Sequence, residues 1–188
     1  MAGRVAIIEI GPMTPYEITQ SFSQTPAGPD PKHWLEIYLD NPTSVYARAR
    51  GTIPNLSLAH TLWRGGFPGL IGISDQNIGR YFQGYLKTYI DQDIRTLSEV
   101  SDLMQFEHFV ALLAGISSQE INYEELGRDI AAAGKTAKRW LALLRTCYIW
   151  RDIRPLTGNV IKQITSKTKG FFIDTGFACH LLGIPSPA

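Results

Sequence analysis

Two short segments of this chain resemble parts of known catalytic sites, and the first is Gly134-Lys135-Thr136. It matches the end of a phosphate-binding P-loop. A P-loop also needs an earlier glycine, at the position that Asp129 occupies here, and a strand before it, so that backbone N–H groups can surround the phosphates. The sequence before this segment predicts a helix. We therefore interpret it as a turn followed by the start of a second helix.

The second segment, Ile173-Asp174-Thr175-Gly176, resembles the active-site turn of aspartic proteases. That chemistry needs two carboxylates that share a proton, and hence a second copy of the turn. Only 12 residues follow Gly176, too few for the rest of a retroviral-type protease half. We therefore expect Asp174 to cap a last helix over 175–182.

The other residue types that do chemistry are scattered along the chain. No histidine has a second ligand at the spacing of a metal site. The two cysteines lie far apart in apolar stretches, which is typical of buried, reduced thiols in a cytoplasmic protein. These residues are His33, His60, His108, His180, Cys147 and Cys179. We expect no catalytic residue, metal or cofactor in this chain itself.

The net charge of +1 conceals a split between two segments. Residues 71–127 contain nine acidic and three basic residues, a net charge of −6. Residues 128–170 contain ten basic and two acidic residues, a net charge of +8. Such asymmetry indicates that the second segment faces a polyanion. No apolar run is long enough to span a bilayer, so we expect no contact with a membrane.

Apolar spacing and turn residues predict the elements that position these groups. A strand is predicted over 5–10, and Thr14, Pro15 and Glu17 have the order of a capped helix start. Further helices are predicted over 30–39, 56–63, 75–90 and 103–113. In the third of these, aromatic and aliphatic side chains recur every three or four residues from position 78 to 90 and form one stripe. This stripe must pack against a large apolar surface.

The pattern changes from residue 121 onward. Asn122 begins a capping box for a short helix that ends near Ala132, and Ala133-Gly134 is a tight turn before a second helix. Two strands, over 148–153 and 170–173, flank a polar connection. A helix-turn-helix followed by a β-hairpin is a winged helix, so the predicted fold class is mainly α with small β elements that end in a winged helix-turn-helix.

Five segments together resemble a known family. They are Ala2-Gly3-Arg4-Val5-Ala6, Leu62 to Pro68, Tyr85 to Arg95, Thr136 to Leu141 and Phe172 to Cys179. In this order they resemble the C-terminal half of uncharacterised bacterial and archaeal AAA-type ATPases, in which an ATPase core precedes a domain of unknown function that begins with a winged helix. The resemblance covers almost the whole chain. Gln163 departs from the family, which commonly has a basic residue there.

The resemblance implies three regions. Residues 1–24 would be the end of the ATPase core, a strand plus a helix. Residues 25–118 would be a helical lid-like region, and residues 119–188 the winged-helix domain and the start of the following C-terminal domain. The Walker segments would lie upstream, so this chain is expected to be a fragment that does not hydrolyse ATP alone, whereas the intact family member would use ATP and Mg²⁺. Arg4 and Arg64 are the candidate nucleotide-related residues.

Three functions remain open at this point. The chain would be the non-catalytic part of an ATP-dependent machine, with a winged helix that engages DNA or a partner protein. It could instead be a stand-alone DNA-binding module, or a scaffold that contacts the ATPase core or a second copy through the helix over 78–90. The candidate nucleic-acid contacts lie on the recognition helix and beside the wing. They are Lys135, Thr136, Lys138, Arg139, Arg145, Lys162, Lys167 and Lys169.

Overall fold

A computed structural model describes residues 9–15, 17–18, 41, 43, 57–88 and 102–187 of the chain. Within these residues the protein is mainly helical, with one small sheet, as predicted. The helices are α1 (Leu58–Arg64), a 3-10 turn (Pro68–Leu70), α2 (Asp75–Thr88), α3 (Leu103–Gly115), α4 (Tyr123–Asp129), α5 (Gly134–Thr146), α6 (Val160–Thr165) and α7 (Thr175–Leu181). The strands are β1 (Trp150–Ile153) and β2 (Lys169–Phe172).

The two strands form an antiparallel pair in which Trp150 lies opposite Phe172. The predicted strands began at residues 148 and 170, so both were placed within two residues of their observed positions. The connection between them differs from the prediction, because it contains α6. Asn159 caps this helix, since its Oδ1 accepts a hydrogen bond from the Lys162 N–H at 3.1 Å. Because the segment is polar, the sequence predicted a connection without a helix. The predicted winged helix is not confirmed.

One continuous apolar core connects α1 to α5 with β1, β2 and α7, and none of the side chains that the structure describes in α6 belongs to it. Phe106 and Phe109 of α3 pack edge-on against Trp140 of α5, with ring centroids 5.3 and 5.5 Å apart. At the other end, Phe177 of α7 lies 5.7 Å from Phe82 of α2. Burial of these large rings is the main source of stability in such a small protein. Helix α7, the last helix, therefore packs against α2.

The predicted stripe on α2 is part of this core as far as the structure describes it. Ile78 and Phe82 are buried, and the Tyr85 ring packs against Phe67 at 5.0 Å and Phe177 at 5.4 Å. The last two positions of the stripe, residues 89 and 90, lie outside the described residues. The described part of the stripe thus packs against other residues of this chain.

Helices α4 and α5 are joined by a turn over 130–133, so the predicted order of helix, short turn and helix is present. The predicted boundaries were wrong by a few residues. Helix α4 ends at Asp129, before the predicted end near Ala132, and Gly134 is the first residue of α5 and not part of the turn. Ala131 adopts the left-handed conformation instead, with φ of 53°. A Cβ on Gly127 would lie 2.7 Å from the Gly134 nitrogen, so glycine allows the two helices to approach closely here.

The predicted helix start near residue 14 is confirmed. The Glu17 carboxylate accepts hydrogen bonds from the Thr14 N–H at 2.7 Å and the Thr14 hydroxyl at 2.9 Å, which is a capping box. The predicted strand over 5–10 is described only at Glu9 and Ile10, which lie in no strand. The predicted helix over 30–39 lies outside the described residues.

Candidate functional site

Helix α5 has two faces of opposite character. Ala137, Trp140, Leu141 and Leu144 recur at helical spacing and are buried in the core. The other face is exposed to solvent. Its exposed residues are Lys135, Lys138, Arg139 and Ala142, and Thr136 at its edge is half-buried. The fold therefore positions three cations on one rigid helical surface, which we call the basic face.

The cations of the basic face have no acidic partner in the part of the chain that the structure describes. Neither Lys135, Lys138 nor Arg139 forms an ion pair there, and only Lys138 has an electrostatic contact, with its Nζ 6.0 Å from the centre of the Tyr123 ring. An exposed cation over an aromatic ring gains only about 0.5–1 kcal/mol. These charges are therefore available to an external anion.

Arg145 lies on the same helix but is held inside the fold. Its Nη2 is 2.5 Å from Asp152 Oδ2 and donates a hydrogen bond to the Tyr123 hydroxyl at 3.0 Å. The prediction grouped Arg145 with the external contacts. The structure instead places it in an ion pair that connects α5 to β1 through Asp152, and this pairing reduces the charge it offers to a ligand.

The three lysines near the hairpin are all exposed but not gathered at one point. Lys162 is on α6, Lys167 lies between α6 and β2, and Lys169 begins β2. Lys167 lines an open cavity of about 450 Å³ together with Tyr123 and Arg145. Because Tyr123 also contacts Lys138, Lys167 is the hairpin lysine that the structure connects most directly to the basic face.

Tyr123 is the residue of this surface that the sequence analysis missed as a functional candidate. It lies in the first turn of α4, directly after the Asn122 cap, and its position in the sequence indicates only a helical residue. Its ring faces Lys138 and its hydroxyl accepts from Arg145. Tyr123 is 15 positions before Lys138, so local sequence carries no signal for the contact.

Of the two candidate nucleotide-related residues, Arg4 lies outside the described residues, and Arg64 is fully engaged within the fold. The Arg64 guanidinium donates to Asp75 Oδ1 at 2.6 Å, to the Leu70 carbonyl at 2.8 Å and to the Ile73 carbonyl at 2.6 Å. Its side chain is only 15% exposed. In this structure Arg64 fastens the end of α1 to the segment before α2.

Asp174 joins the two ends of the described fold. It caps α7, as predicted, because its Oδ1 accepts from the Phe177 N–H at 2.8 Å. Its Oδ2 accepts from the Gly66 N–H at 2.7 Å, just after α1. Burial raises the pKa of this carboxyl, and the backbone donors, which lower it, only partly offset that effect. The buried carboxylate is a structural anchor that accepts from backbone N–H groups. Among the described residues no second carboxylate contacts it, whereas protease chemistry needs such a pair.

The described residues contain neither a cluster of metal ligands nor a helix that could cross a membrane. No group of three or more histidine, cysteine, aspartate or glutamate side chains is placed to hold a metal ion there. None of the helices in the same ranges has the length and apolar character needed to cross a membrane.

Comparison with known proteins identifies the family. The chain belongs to the family described as a domain of unknown function (DUF8612), whose model matches residues 55–188. Among curated proteins it is similar to Uncharacterized protein Mb2031c of Mycobacterium bovis and Uncharacterized protein Rv2008c of Mycobacterium tuberculosis. Each is 29% identical over 130 residues, which is 68% of this chain and 30% of the relative. The chain therefore corresponds to less than a third of the length of these relatives. No solved structure matches it.

Proposed function

We propose that this chain binds duplex DNA through the basic face of α5, as the non-catalytic part of an ATP-dependent machine of the AAA type. The observation that carries the proposal is the set of three cations, Lys135, Lys138 and Arg139, on one exposed helical face with no acidic partner among the described residues. The ATPase part of the proposal is supported by the resemblance of five sequence segments.

The position of the cations on α5 suits a duplex ligand. In helix-turn-helix proteins the second helix enters the major groove, and its N-terminal residues contact the bases and phosphates. Lys135, Lys138 and Arg139 lie in the first half of α5, the second helix of such a pair. The α4–α5 turn leaves this half of the helix exposed.

The energetics favour a polyanion over a single small anion. Each cation that neutralises a DNA phosphate releases a condensed counterion, and this release drives binding at low salt. Three such contacts, with Lys167 as a fourth beside Tyr123, predict affinity in the range of non-specific DNA binding, with a Kd of roughly 10⁻⁴–10⁻⁶ M at physiological salt. An acidic protein surface is the competing ligand, and binding to naked DNA separates the two.

The ATP-dependent part of the proposal assigns hydrolysis to a core outside this chain. Gly134-Lys135-Thr136 is the turn-to-helix junction of α4 and α5, and a helix precedes it in place of the strand of a P-loop. We therefore expect the chain alone to show no ATP turnover. Turnover by the purified chain, retained through repeated purification, would contradict this part of the proposal.

The test is fluorescence-anisotropy binding to a labelled 20-base-pair duplex at two salt concentrations. We compare the wild type with the double variant Lys138→Ala/Arg139→Ala. The matched control is Arg80→Ala/Lys87→Ala, which removes the same two charge types from exposed positions on α2. We expect the first variant to weaken binding by about tenfold or more and the control to have little effect.

Two outcomes would count against DNA binding at this face. If the wild type does not bind the duplex at low salt, the face is a docking surface for an acidic protein and the proposal is wrong. If both double variants lose affinity equally, binding reflects general charge and not the basic face. Circular dichroism of each variant establishes that the helical fold is retained.

A further inference from the structure

The basic face contains a shallow depression that the proposed phosphate contacts do not explain. It has a volume of about 410 Å³ and is lined by residues of α5 alone. These residues are Lys135, Thr136, Lys138, Arg139 and Ala142. Ala142 is exposed, and the preceding positions on this face, Lys138 and Arg139, carry long charged side chains. The Ala142 methyl group and the Arg139 side chain thus line the same depression.

The Arg139 guanidinium differs from several other arginines of the described chain. Arg64, Arg145 and Arg151 each form an ion pair, with Asp75, Asp152 and Glu9 respectively. Arg139 forms no ion pair or hydrogen bond among the described residues, so its planar fork of donors is unoccupied. That fork matches the O6 and N7 acceptors of guanine in the major groove with a fixed planar geometry, whereas a lysine ammonium can reach the same acceptors only as a compact point charge.

We infer that α5 reads base sequence, with Arg139 donating to the major-groove edge of a guanine and Ala142 contacting the methyl group of a thymine on a neighbouring base pair. This inference rests on the proposed DNA binding and adds sequence recognition to it. The other two cations, Lys135 and Lys138, contact phosphates and orient the helix, because such contacts fix register without carrying sequence information.

The spacing of the two residues supports recognition of adjacent base pairs. Arg139 and Ala142 are three positions apart on one helix, which corresponds to about 4.5 Å along its axis. The rise of one DNA strand is about 3.4 Å per base. A helix lying in the groove therefore places the two side chains within about one base step of each other. Apolar contact between alanine and the thymine methyl is a standard form of major-groove readout.

The experiment selects DNA sequences with the full chain. A pool of duplexes with twelve randomised base pairs is captured on the immobilised wild type at moderate salt, and the bound fraction is sequenced over several rounds. We expect enrichment of guanine with a thymine at the next or preceding base pair. The enriched duplex is then used to measure affinities of Arg139→Ala, Arg139→Lys, Ala142→Gly and the control Arg128→Lys, an exposed arginine on α4.

The variants separate recognition from charge. Arg139→Ala should lose about five- to 150-fold of the preference for guanine, the range that one bidentate contact provides. Arg139→Lys keeps the positive charge and can still reach guanine, so it should lose only part of this preference. Its affinity for unselected DNA should change little. Ala142→Gly should lose the thymine preference and keep the guanine preference, and Arg128→Lys should keep both.

Each contrary result has a distinct meaning. If the wild type binds the pool without enriching any sequence, base reading is wrong and the proposed DNA binding stands. If a sequence is enriched but Arg139→Ala retains the guanine preference, Arg139 is not the reader. If the wild type binds no duplex at any salt concentration, both the inference and the proposed function fail.

Discussion

Removal of the Asp174 carboxylate should cost this protein a large part of its stability. The side chain is 3% exposed, and it accepts hydrogen bonds from the backbone N–H groups of Gly66 at 2.7 Å and Phe177 at 2.8 Å. In Asp174→Ala both donors lose their acceptor. A buried donor left without a partner costs about 1–3 kcal/mol, so the two together predict a loss of about 2–6 kcal/mol.

This loss is large relative to the whole stability of a typical domain, which is about 5–15 kcal/mol. The assay is urea unfolding followed by circular dichroism at 222 nm. With a slope of about 2 kcal/mol per molar urea, the predicted loss lowers the midpoint by about 1–3 M. The variant Asp174→Asn keeps one acceptor oxygen and should fall between the wild type and Asp174→Ala.

The matched control is Asp129→Ala, because Asp129 is an exposed aspartate at the end of α4. Its removal should change the free energy of unfolding by less than about 0.5 kcal/mol. A loss below about 0.5 kcal/mol in Asp174→Ala would refute the reasoning. Such a result would mean that water or a backbone shift satisfies both donors when the carboxylate is absent.

Three further predictions follow from contacts in the same structure. Because burial raises the pKa of Asp174, the native state binds the proton of this carboxyl more tightly than the unfolded chain does. The free energy of unfolding should therefore decline as pH rises from the ordinary aspartate range through the raised pKa. A series of urea titrations at different pH values should show this decline in the wild type and not in Asp174→Asn. Gly65→Ala should destabilise the protein by more than about 1 kcal/mol, because Gly65 has φ of 76° and an added Cβ would meet the Asp174 carboxylate. The control is Gly84→Ala on α2, where an added Cβ meets open space. It should stabilise the protein by roughly 0.5–1 kcal/mol in the same thermal or urea unfolding assay. Glu124→Gln should raise DNA affinity by about two- to fivefold in the anisotropy assay, because the Glu124 carboxylate lies against Gly134 at the start of α5 and would repel a phosphate there. An unchanged or lower affinity would contradict DNA contact at this end of the helix.

The helix starts that the sequence predicted correctly depend on local caps. Asn122 accepts from the Glu124 N–H at 3.2 Å, and Asp174 accepts from the Phe177 N–H at 2.8 Å, both within three residues along the chain. Such signals are visible in sequence because donor and acceptor are neighbours. Among the described α-helices, α6 was missed. It follows the same rule with Asn159, but its polar surroundings predicted only a connection between the two strands.

The candidate site was predicted less completely, because parts of it depend on tertiary contacts. Lys138 and Arg145 are seven residues apart and fall on similar sides of α5, so sequence alone groups them together. Only the fold reveals that Asp152 and Tyr123 hold Arg145 while Lys138 remains exposed. The helical period predicts which side chains face outward, but the pairing of an outward cation is decided by elements far away in sequence.

The role of Arg64 illustrates the same limit. The resemblance made it a candidate nucleotide-related residue, on the basis of the segment in which it occurs. The structure shows its guanidinium bonded to Asp75 and to two backbone carbonyls before α2. Those acceptors are brought together by the turn over 68–74, and no spacing rule in the sequence would have identified them.

The most direct test of the central claim is the salt dependence of DNA binding for the wild type and for Lys138→Ala/Arg139→Ala. The logarithm of the binding constant should fall linearly with the logarithm of the salt concentration, by about 0.9 for each phosphate that the protein neutralises. The double variant should have a slope smaller by about two if both residues contact phosphates, and by about one if Arg139 contacts a guanine as inferred above. An equal slope in the two proteins, at any affinity, would show that these residues do not touch the phosphates and would contradict DNA binding by the basic face.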